Sequence, residues 1–149
     1  MTFKEKLFAR CNQLVDERIA LAKKLIAEAQ QAANEDTKSS MGDKYETSRE
    51  MMALEMRKAN EQLQEGAKLN KVLTRLNPTT ICQQVEIGSL VSTSMGDFFV
   101  SISLGKIMLE QREVFALSAV APLGKQLMGK EKGDKFEFNS REIEIISVE

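Results

Sequence analysis

The spacing of hydrophobic residues along this chain changes close to Pro78. Before it, apolar residues recur at three- and four-residue steps with charged residues between them, which is typical of one face of an α-helix. The repeat runs through two arms of about 30 residues that are separated by a polar segment. We therefore predict two antiparallel helices, over residues 3–35 and 43–76, that pack on each other as a coiled coil. The predicted seam consists of Phe8, Cys11, Val15, Ile19, Ala22, Ile26, Ala29 and Ala33 in the first arm, and Tyr45, Ser48, Met52, Met56, Ala59, Leu63, Leu69, Leu73 and Leu76 in the second.

After Pro78 the hydrophobic period falls to two, which is typical of β-strands. A Gly-Ser pair at 88–89 indicates a bend in the first strand, and a short helical turn is predicted near 123–129. The sequence thus predicts an α+β protein: a helical hairpin over 1–77 with its tip near 34–45, then a small antiparallel sheet domain with one short helix over 78–149. The five predicted strands are Val85–Val91, Phe98–Ile102, Val114–Leu117, Lys135–Phe138 and Glu142–Val148, with turns at Met95-Gly96-Asp97 and Asn139-Ser140.

Charge and composition exclude several classes of protein. The 149 residues include 21 basic and 22 acidic side chains, a balance that gives no broad electrostatic basis for binding duplex DNA. No apolar run approaches the roughly 20 residues that a membrane-spanning helix needs, so no membrane partner is expected. The first six residues include three charged side chains and lead directly into the helical pattern, unlike a signal peptide, and we expect a cytoplasmic location.

The chain also lacks the residues that most catalytic sites require. It has no histidine, which excludes Ser-His-Asp and Cys-His nucleophile systems and the commonest metal ligand. Cys11 and Cys82 are far apart in sequence and outside any CxxC motif, so we interpret each as a buried or idle thiol. A stand-alone enzyme is the least favoured class, because nothing here builds a nucleophile, a base and an oxyanion site.

A Gly- and Pro-rich segment, APLGKQLMGK followed by KGD, precedes the strand at 135–138. Glycine reaches backbone angles that other residues resist and proline fixes the entry to a turn, so the segment predicts an ordered corner. It resembles the C-terminal domain of the Gre-type transcript cleavage factors, whose segment reads Ser-Pro-x-Gly-x-x-Leu-x-Gly-Lys-x-x-Gly-Asp. The matching residues are Pro122, Gly124, Leu127, Gly129, Lys130, Gly133 and Asp134.

The resemblance implies a fold and a partner. In the Gre family this domain has the FK506-binding-protein-like fold and docks on RNA polymerase, so the implied partner is the polymerase core. The isomerase pocket of that fold does not follow, because it needs an aromatic cage and this chain has seven Phe, one Tyr and no Trp, mostly at strand-core positions. Side chains beside the corner, rather than its glycines, are the predicted docking contacts: Lys125, Lys130 and Lys132.

The hairpin tip resembles the family more loosely. The family tip is close to Gly-Asp-Leu-Ser-Glu-Asn-x-Glu-Tyr-x-x-x-(Lys/Arg)-Glu, and, anchored on Tyr45, this chain matches it at Ser40, Arg49 and Glu50. In the family the tip enters the secondary channel of the polymerase, close to the RNA 3′ end. The tip residues that the resemblance places in contact are Glu35, Asp36, Lys38, Met41, Asp43, Tyr45 and Arg49.

Two departures at the tip bear on activity. Lys38 and Met41 stand where the family has the Asp and Glu that help to hold a catalytic Mg²⁺ for RNA cleavage. Hard carboxylate oxygens suit Mg²⁺, whereas an ammonium repels it and a thioether is too soft. Glu35, Asp36 and Asp43 are the carboxylates that could take over. Of these, Asp36 and Asp43 are the predicted ligands of a Mg²⁺ shared with the polymerase, although Asp43 also fits as a cap of the second helix. No cofactor of the protein's own is expected.

Three hypotheses follow. The first is a Gre-like regulator that binds RNA polymerase, inserts its hairpin into the secondary channel and has weak or no transcript cleavage. The second is an active cleavage factor that uses Asp36 and Asp43 with the polymerase's metal. The third is a coiled-coil adaptor that kept the fold and no longer binds polymerase. The sequence favours the first because of Lys38 and Met41 at the tip.

Overall fold

The computed structural model describes residues 1–36 and 42–149, and the side chains of all of these except 36 and 42–45. Two long helices come first, α1 over Phe3–Asp36 and α2 over Gly42–Thr74, which confirms the predicted helical hairpin. A reciprocal capping box starts α1: the Thr2 amide donates to Glu5 Oε2 at 2.9 Å, and the Glu5 amide donates to Thr2 Oγ1 at 3.2 Å. Neither helix is long and apolar enough to cross a membrane.

The chain forms two compact units. One unit, which we call the sheet unit, combines Met1–Asn12 with Lys71–Glu149; the other, the hairpin unit, is Gln13–Asn70. The start of α1 and the end of α2 therefore belong to the sheet unit. The predicted division at residue 77 follows the change of periodicity, and it stays a prediction.

Small side chains make up much of the seam of the hairpin unit. Ala22, Ala29 and Ala59 are buried in it, together with Val15 and Leu69. At Gly66 a Cβ atom would lie 2.7 Å from Ile19 Cγ1, so the glycine permits a close approach of the two helices. Several large apolar side chains of the same helices are exposed instead: Leu21, Leu25, Met51 and Leu54.

The described part of the sheet unit contains six strands in the order β3-β4-β2-β1-β6-β5. All neighbours pair antiparallel except β2 and β4, which run parallel, so the all-antiparallel expectation is wrong at that pair. A short helix, α3 over Pro122–Leu127, confirms the predicted helical turn. The strands are β1 Leu90–Thr93, β2 Gly96–Ser101, β3 Gly105–Leu109, β4 Arg112–Ser118, β5 Lys135–Phe138 and β6 Arg141–Val148.

Two strand predictions need correction. The β3 strand was not predicted at all. The strand predicted over Val85–Val91 is wrong before Leu90, because a turn occupies that part: the Ser89 amide donates to the Glu86 carbonyl at 3.0 Å, and the Glu86 amide donates to Ser89 Oγ at 2.9 Å. Gly88 lies in that turn at φ 101°, which confirms the predicted bend there.

The core of the sheet unit lies between α3 and one face of the sheet. Its buried members are aliphatic residues from β1, β2, β4, β6, α3 and the segment before β1. Half-buried residues, including Phe98 and Phe136, pack against them. Fully buried Phe99 and Leu90 add to the apolar interior of the unit. The cluster under α3 comprises Val85, Val91, Val100, Leu117, Leu127 and Ile145.

Polar contacts attach the first residues of α1 to the sheet. The buried ammonium of Lys4 donates to the carbonyl oxygens of Thr80, at 2.7 Å, and Glu149, at 3.0 Å. The Arg112 guanidinium lies 4.5 Å from the centre of the Phe3 ring. These contacts explain why residues 1–12 belong to the sheet unit.

Candidate functional site

The corner that the sequence singled out has a backbone that only its own residues allow. Pro122 occupies the first turn of α3, where a missing N–H costs nothing. A Cβ atom at Gly124 would overlap the carbonyl oxygen of Ser118 and lie 3.0 Å from Leu117 Cδ1. A larger residue at 124 would therefore push α3 off the end of β4.

Two further glycines let the corner bond to neighbouring segments. Gly129 has φ 81° and donates its amide to the Val85 carbonyl at 2.8 Å, while the Val85 amide donates to the Lys130 carbonyl at 2.9 Å. Gly133 has φ 91° and donates to the Ile145 carbonyl at 2.8 Å. The corner is thus bonded both to the segment before β1 and to β6.

Asp134, the last residue of the matched motif, has a structural role. Its Oδ2 accepts a hydrogen bond of 2.7 Å from the Glu131 amide, and its own amide donates to the Glu131 carbonyl at 3.0 Å. These two bonds close the turn over 131–134. The carboxylate is therefore engaged in holding the loop that presents Lys132.

The three predicted docking lysines differ in their surroundings. Lys125 and Lys132 are exposed, whereas Lys130 is half-buried with its ammonium 5.8 Å from the centre of the Phe136 ring. Lys132 also lines a cleft of about 460 Å³. Lys125 and Lys132 are consequently the better placed of the three to meet a partner, and the docking role itself stays a prediction.

The cleft beside Lys132 brings together residues that sequence reasoning did not select. Ile81 on its wall is 87 % exposed, and Gln84 Nε2 donates to Glu131 Oε1 at 2.8 Å. In the sequence, the one hint of this surface is that Ile81 lies outside the periodic hydrophobic patterns on either side of it. The remaining lining residues are Cys82, Gln83 and Glu86.

Both cysteines are buried and free, as the sequence predicted. Cys82 Sγ donates to Glu86 Oε1 at 3.2 Å and lies 3.8 Å from the Lys4 ammonium. Cys11 is surrounded by apolar groups, and this burial raises the pKa of its thiol to about 12. Cys11 is therefore a neutral, inert side chain at physiological pH.

Most of the predicted tip lies outside the described residues. This holds for Lys38 and Met41 entirely, and for the side chains of Asp36, Asp43 and Tyr45. Glu35, near the end of α1, and Arg49, in α2, are both exposed. Among the residues described, no group of three or more His, Cys, Asp or Glu side chains could hold a metal ion. The tip contacts and the shared Mg²⁺ at Asp36 and Asp43 stay predictions.

A second cavity, of about 410 Å³, opens where α3 begins. Five of its seven lining residues are apolar, two of them aromatic, and the two polar ones lie at the turn between β5 and β6 or directly after it. No sequence pattern indicated a pocket here, since the phenylalanines are at positions typical of a strand core. We call it the α3 cavity; it is lined by Met95, Phe98, Leu123, Phe138, Ile143, Asn139 and Arg141.

Comparison with solved structures yields a weak similarity. No protein-family model matches the chain, and no curated protein matches it. A solved structure described as that of the transcription factor Gfh1 aligns with 92 % of this chain and 92 % of its own, at 17 % identity and a TM-score of 0.36. A similarity of this size does not by itself assign a function.

Proposed function

We propose that this protein is a Gre-like regulator of transcription elongation that binds the RNA polymerase core. In this proposal the hairpin tip enters the secondary channel, the corner beside α3 docks on the polymerase, and transcript cleavage is weak or missing. The observation that supports it most is the seven-residue corner motif, which here forms an ordered, bonded corner following a long helical hairpin.

The corner is suited to docking because its backbone is held in place while two of its lysine side chains are exposed to solvent. Gly124 and Asp134 hold the fold of the segment, and Lys125 and Lys132 project from it into solvent. Exposed cations on a rigid support favour association with an acidic surface, and the effect weakens as salt rises. The polymerase surface that meets them should therefore be acidic.

Binding is tested with purified core polymerase and a variant in which Lys125, Lys130 and Lys132 become Glu. We expect weaker binding, a smaller dependence on salt and a nearly unchanged melting temperature. A matched triple exchange of Lys24, Lys106 and Lys135, which are exposed elsewhere, should leave binding close to that of the natural protein. If both triple variants bind equally well, the corner is not the docking surface.

Cleavage is tested on backtracked polymerase complexes. A Lys38 ammonium placed about 4 Å from the metal position would oppose Mg²⁺ by roughly 4 kcal/mol per unit charge at an effective dielectric near 20. The natural protein should therefore shorten RNA poorly, and Lys38→Asp/Met41→Glu should increase shortening. Robust Mg²⁺-dependent cleavage by the natural protein that is lost in Asp36→Ala/Asp43→Ala would instead establish the active cleavage factor.

The exposed apolar side chains of the hairpin unit favour a coiled-coil adaptor as the second candidate. Leu25 is 38 % exposed and lines a groove of about 500 Å³ with Ala29, Ala32 and Ala59. An adaptor would cover this groove with another protein and would not bind polymerase. Absence of polymerase binding by the natural protein at low salt would leave this candidate in place of the first.

A further inference from the structure

The α3 cavity lies beside the start of α3, which is a short helix. Six helical residues span only about 9 Å. The apolar face continues beyond the start of the helix through Phe98 on β2, Phe138 on β5 and Ile143 on β6. The volume of about 410 Å³ falls within the range of small-molecule sites, which are mostly apolar and carry a few polar groups that orient the ligand.

The register of the β5–β6 hairpin puts one cation on this apolar face. Phe138 pairs directly with Arg141, and Phe136 pairs with Ile143. Directly paired residues of antiparallel strands project to the same side, and alternate residues of a strand share a side. Arg141 therefore projects to the same side as Phe138 and Ile143, at the edge of the cavity.

The acidic residues of the same hairpin project to the opposite side. Glu137 pairs with Glu142, and Lys135 pairs with Glu144. Within the described part of the chain, no carboxylate oxygen lies within 4.0 Å of the Arg141 guanidinium. None of the residues that line the α3 cavity is acidic. The cavity thus combines five apolar lining residues with a positive charge that has no partner ion among the described residues.

We propose that the α3 cavity binds a small organic carboxylate with one aromatic or branched apolar group. The apolar group fills the space between Phe98, Leu123 and Phe138, and the carboxylate meets the guanidinium of Arg141, whose planar fork fits two carboxylate oxygens. The carboxylate belongs to a free acid of amino-acid size or to the last residue of a peptide. This site does not rest on polymerase binding.

The test is an NMR titration of the ¹⁵N-labelled protein with N-acetyl-phenylalanine, its neutral amide, and a tetrapeptide that ends in phenylalanine. We expect saturable shifts of the Met95, Leu123 and Asn139 amides with the acid. The neutral amide should bind about tenfold or more weakly, since it loses a charge-assisted hydrogen bond. Tighter binding of the tetrapeptide than of the free acid assigns the site to chain termini, and the reverse assigns it to small acids.

Variants test whether the Arg141 charge itself, rather than the protein's overall charge, binds the carboxylate. Arg141→Gln should abolish the preference for acid over amide, and Arg141→Lys should keep part of it. Lys135→Gln removes the same charge from the opposite side of the hairpin and should leave both affinities unchanged. Thermal melts of each variant check that the fold is intact. The proposal is overturned if acid and amide bind equally, if Lys135→Gln acts like Arg141→Gln, or if no probe causes saturable shifts at millimolar concentrations.

Discussion

The sheet unit and the hairpin unit bury different kinds of residue. The sheet unit has an interior of large aliphatic and aromatic side chains, with Phe99, Val100 and Leu127 at 0–1 % exposure. Three of the five buried apolar side chains described in the hairpin unit are alanines, while Leu21 is 54 % exposed on its surface. Because buried apolar area is the main source of stability, each residue of the hairpin unit contributes less.

This difference implies different stabilities within one chain. The sheet unit should open only by global unfolding, whereas the hairpin should open locally and exchange its amide hydrogens sooner. A rigid unit and a more adaptable one suit the division proposed for the function, in which the sheet unit docks and the hairpin reaches. Four predictions test the interior of the sheet unit, and two of them compare it directly with the hairpin unit.

The largest effect is expected at Gly124. In Gly124→Ala the new methyl group meets a backbone carbonyl, which cannot move aside as a flexible side chain would, so the sheet unit should lose about 4 kcal/mol or more. Gly129→Ala is the control, since its Cβ would have open space and only the positive φ is costly, at about 1 kcal/mol. Urea unfolding followed by circular dichroism measures both. Equal losses would show that the corner tolerates displacement of α3.

The next effect compares one leucine in each unit. Leu127→Ala removes a fully buried side chain from the sheet unit and should cost about 3 kcal/mol. Leu25→Ala removes a side chain that is 38 % exposed on the hairpin and should cost less than about 1 kcal/mol. Differential scanning calorimetry resolves which transition moves. A larger loss at Leu25 would refute the contrast between the two interiors.

A smaller effect compares two charged groups. Arg112 Nε donates to Asp97 Oδ2 at 2.6 Å, and the guanidinium also contacts the Phe3 ring, so Arg112→Gln should cost about 2 kcal/mol. Lys24 lies 3.9 Å from Glu28 on the exposed face of α1, and Lys24→Gln should cost about 0.3 kcal/mol. Chemical unfolding at two salt concentrations measures both. If the two changes cost the same, the Arg112 contacts add nothing beyond a surface pair.

The ionisation of Cys11 should affect stability only at alkaline pH. Burial raises the pKa of its thiol from 9.0 to about 12, so above pH 9 the unfolded chain ionises while the folded chain does not. The free energy of unfolding should therefore fall between about pH 9 and 12, with a slope of up to about 1.4 kcal/mol per pH unit. Below pH 9 this thiol should have no effect on the pH dependence of stability. Cys11→Ala should lower stability overall yet show a shallower fall in that window. An identical pH slope in the variant would contradict the burial of this thiol.

The sequence predicted the elements whose signals are local. The long apolar stripes of the hairpin and the alternation at 135–138 needed no partner to be recognised, and α1 and β5 were placed to within one residue. The turns of the corner were predicted from its glycines, and Gly129 and Gly133 do have positive φ.

The missed elements depend on contacts between distant residues. The β3–β4 turn at Glu110 and Gln111 has φ of 51° and 64°, angles usually reserved for Asn or Gly, so the sequence carried no turn signal and β3 went unnoticed. Val85 to Ser89 alternates like a strand, but the side chain of Ser89 bonds back to the Glu86 amide and closes a turn. The α3 cavity required the register of Phe138 against Arg141, which no local pattern reveals.

The hydrogen bonds of Lys4 have a consequence for synthesis on the ribosome. The Lys4 ammonium needs the carbonyl of Glu149, which lies 145 residues later in the chain. At 5–20 residues per second, the lysine waits on the order of ten seconds for that acceptor to be made. During this interval the hairpin unit, which consists of Gln13–Asn70, can already form. The sheet unit, which is completed last, is thus the unit that holds the N-terminal residues of α1 in place.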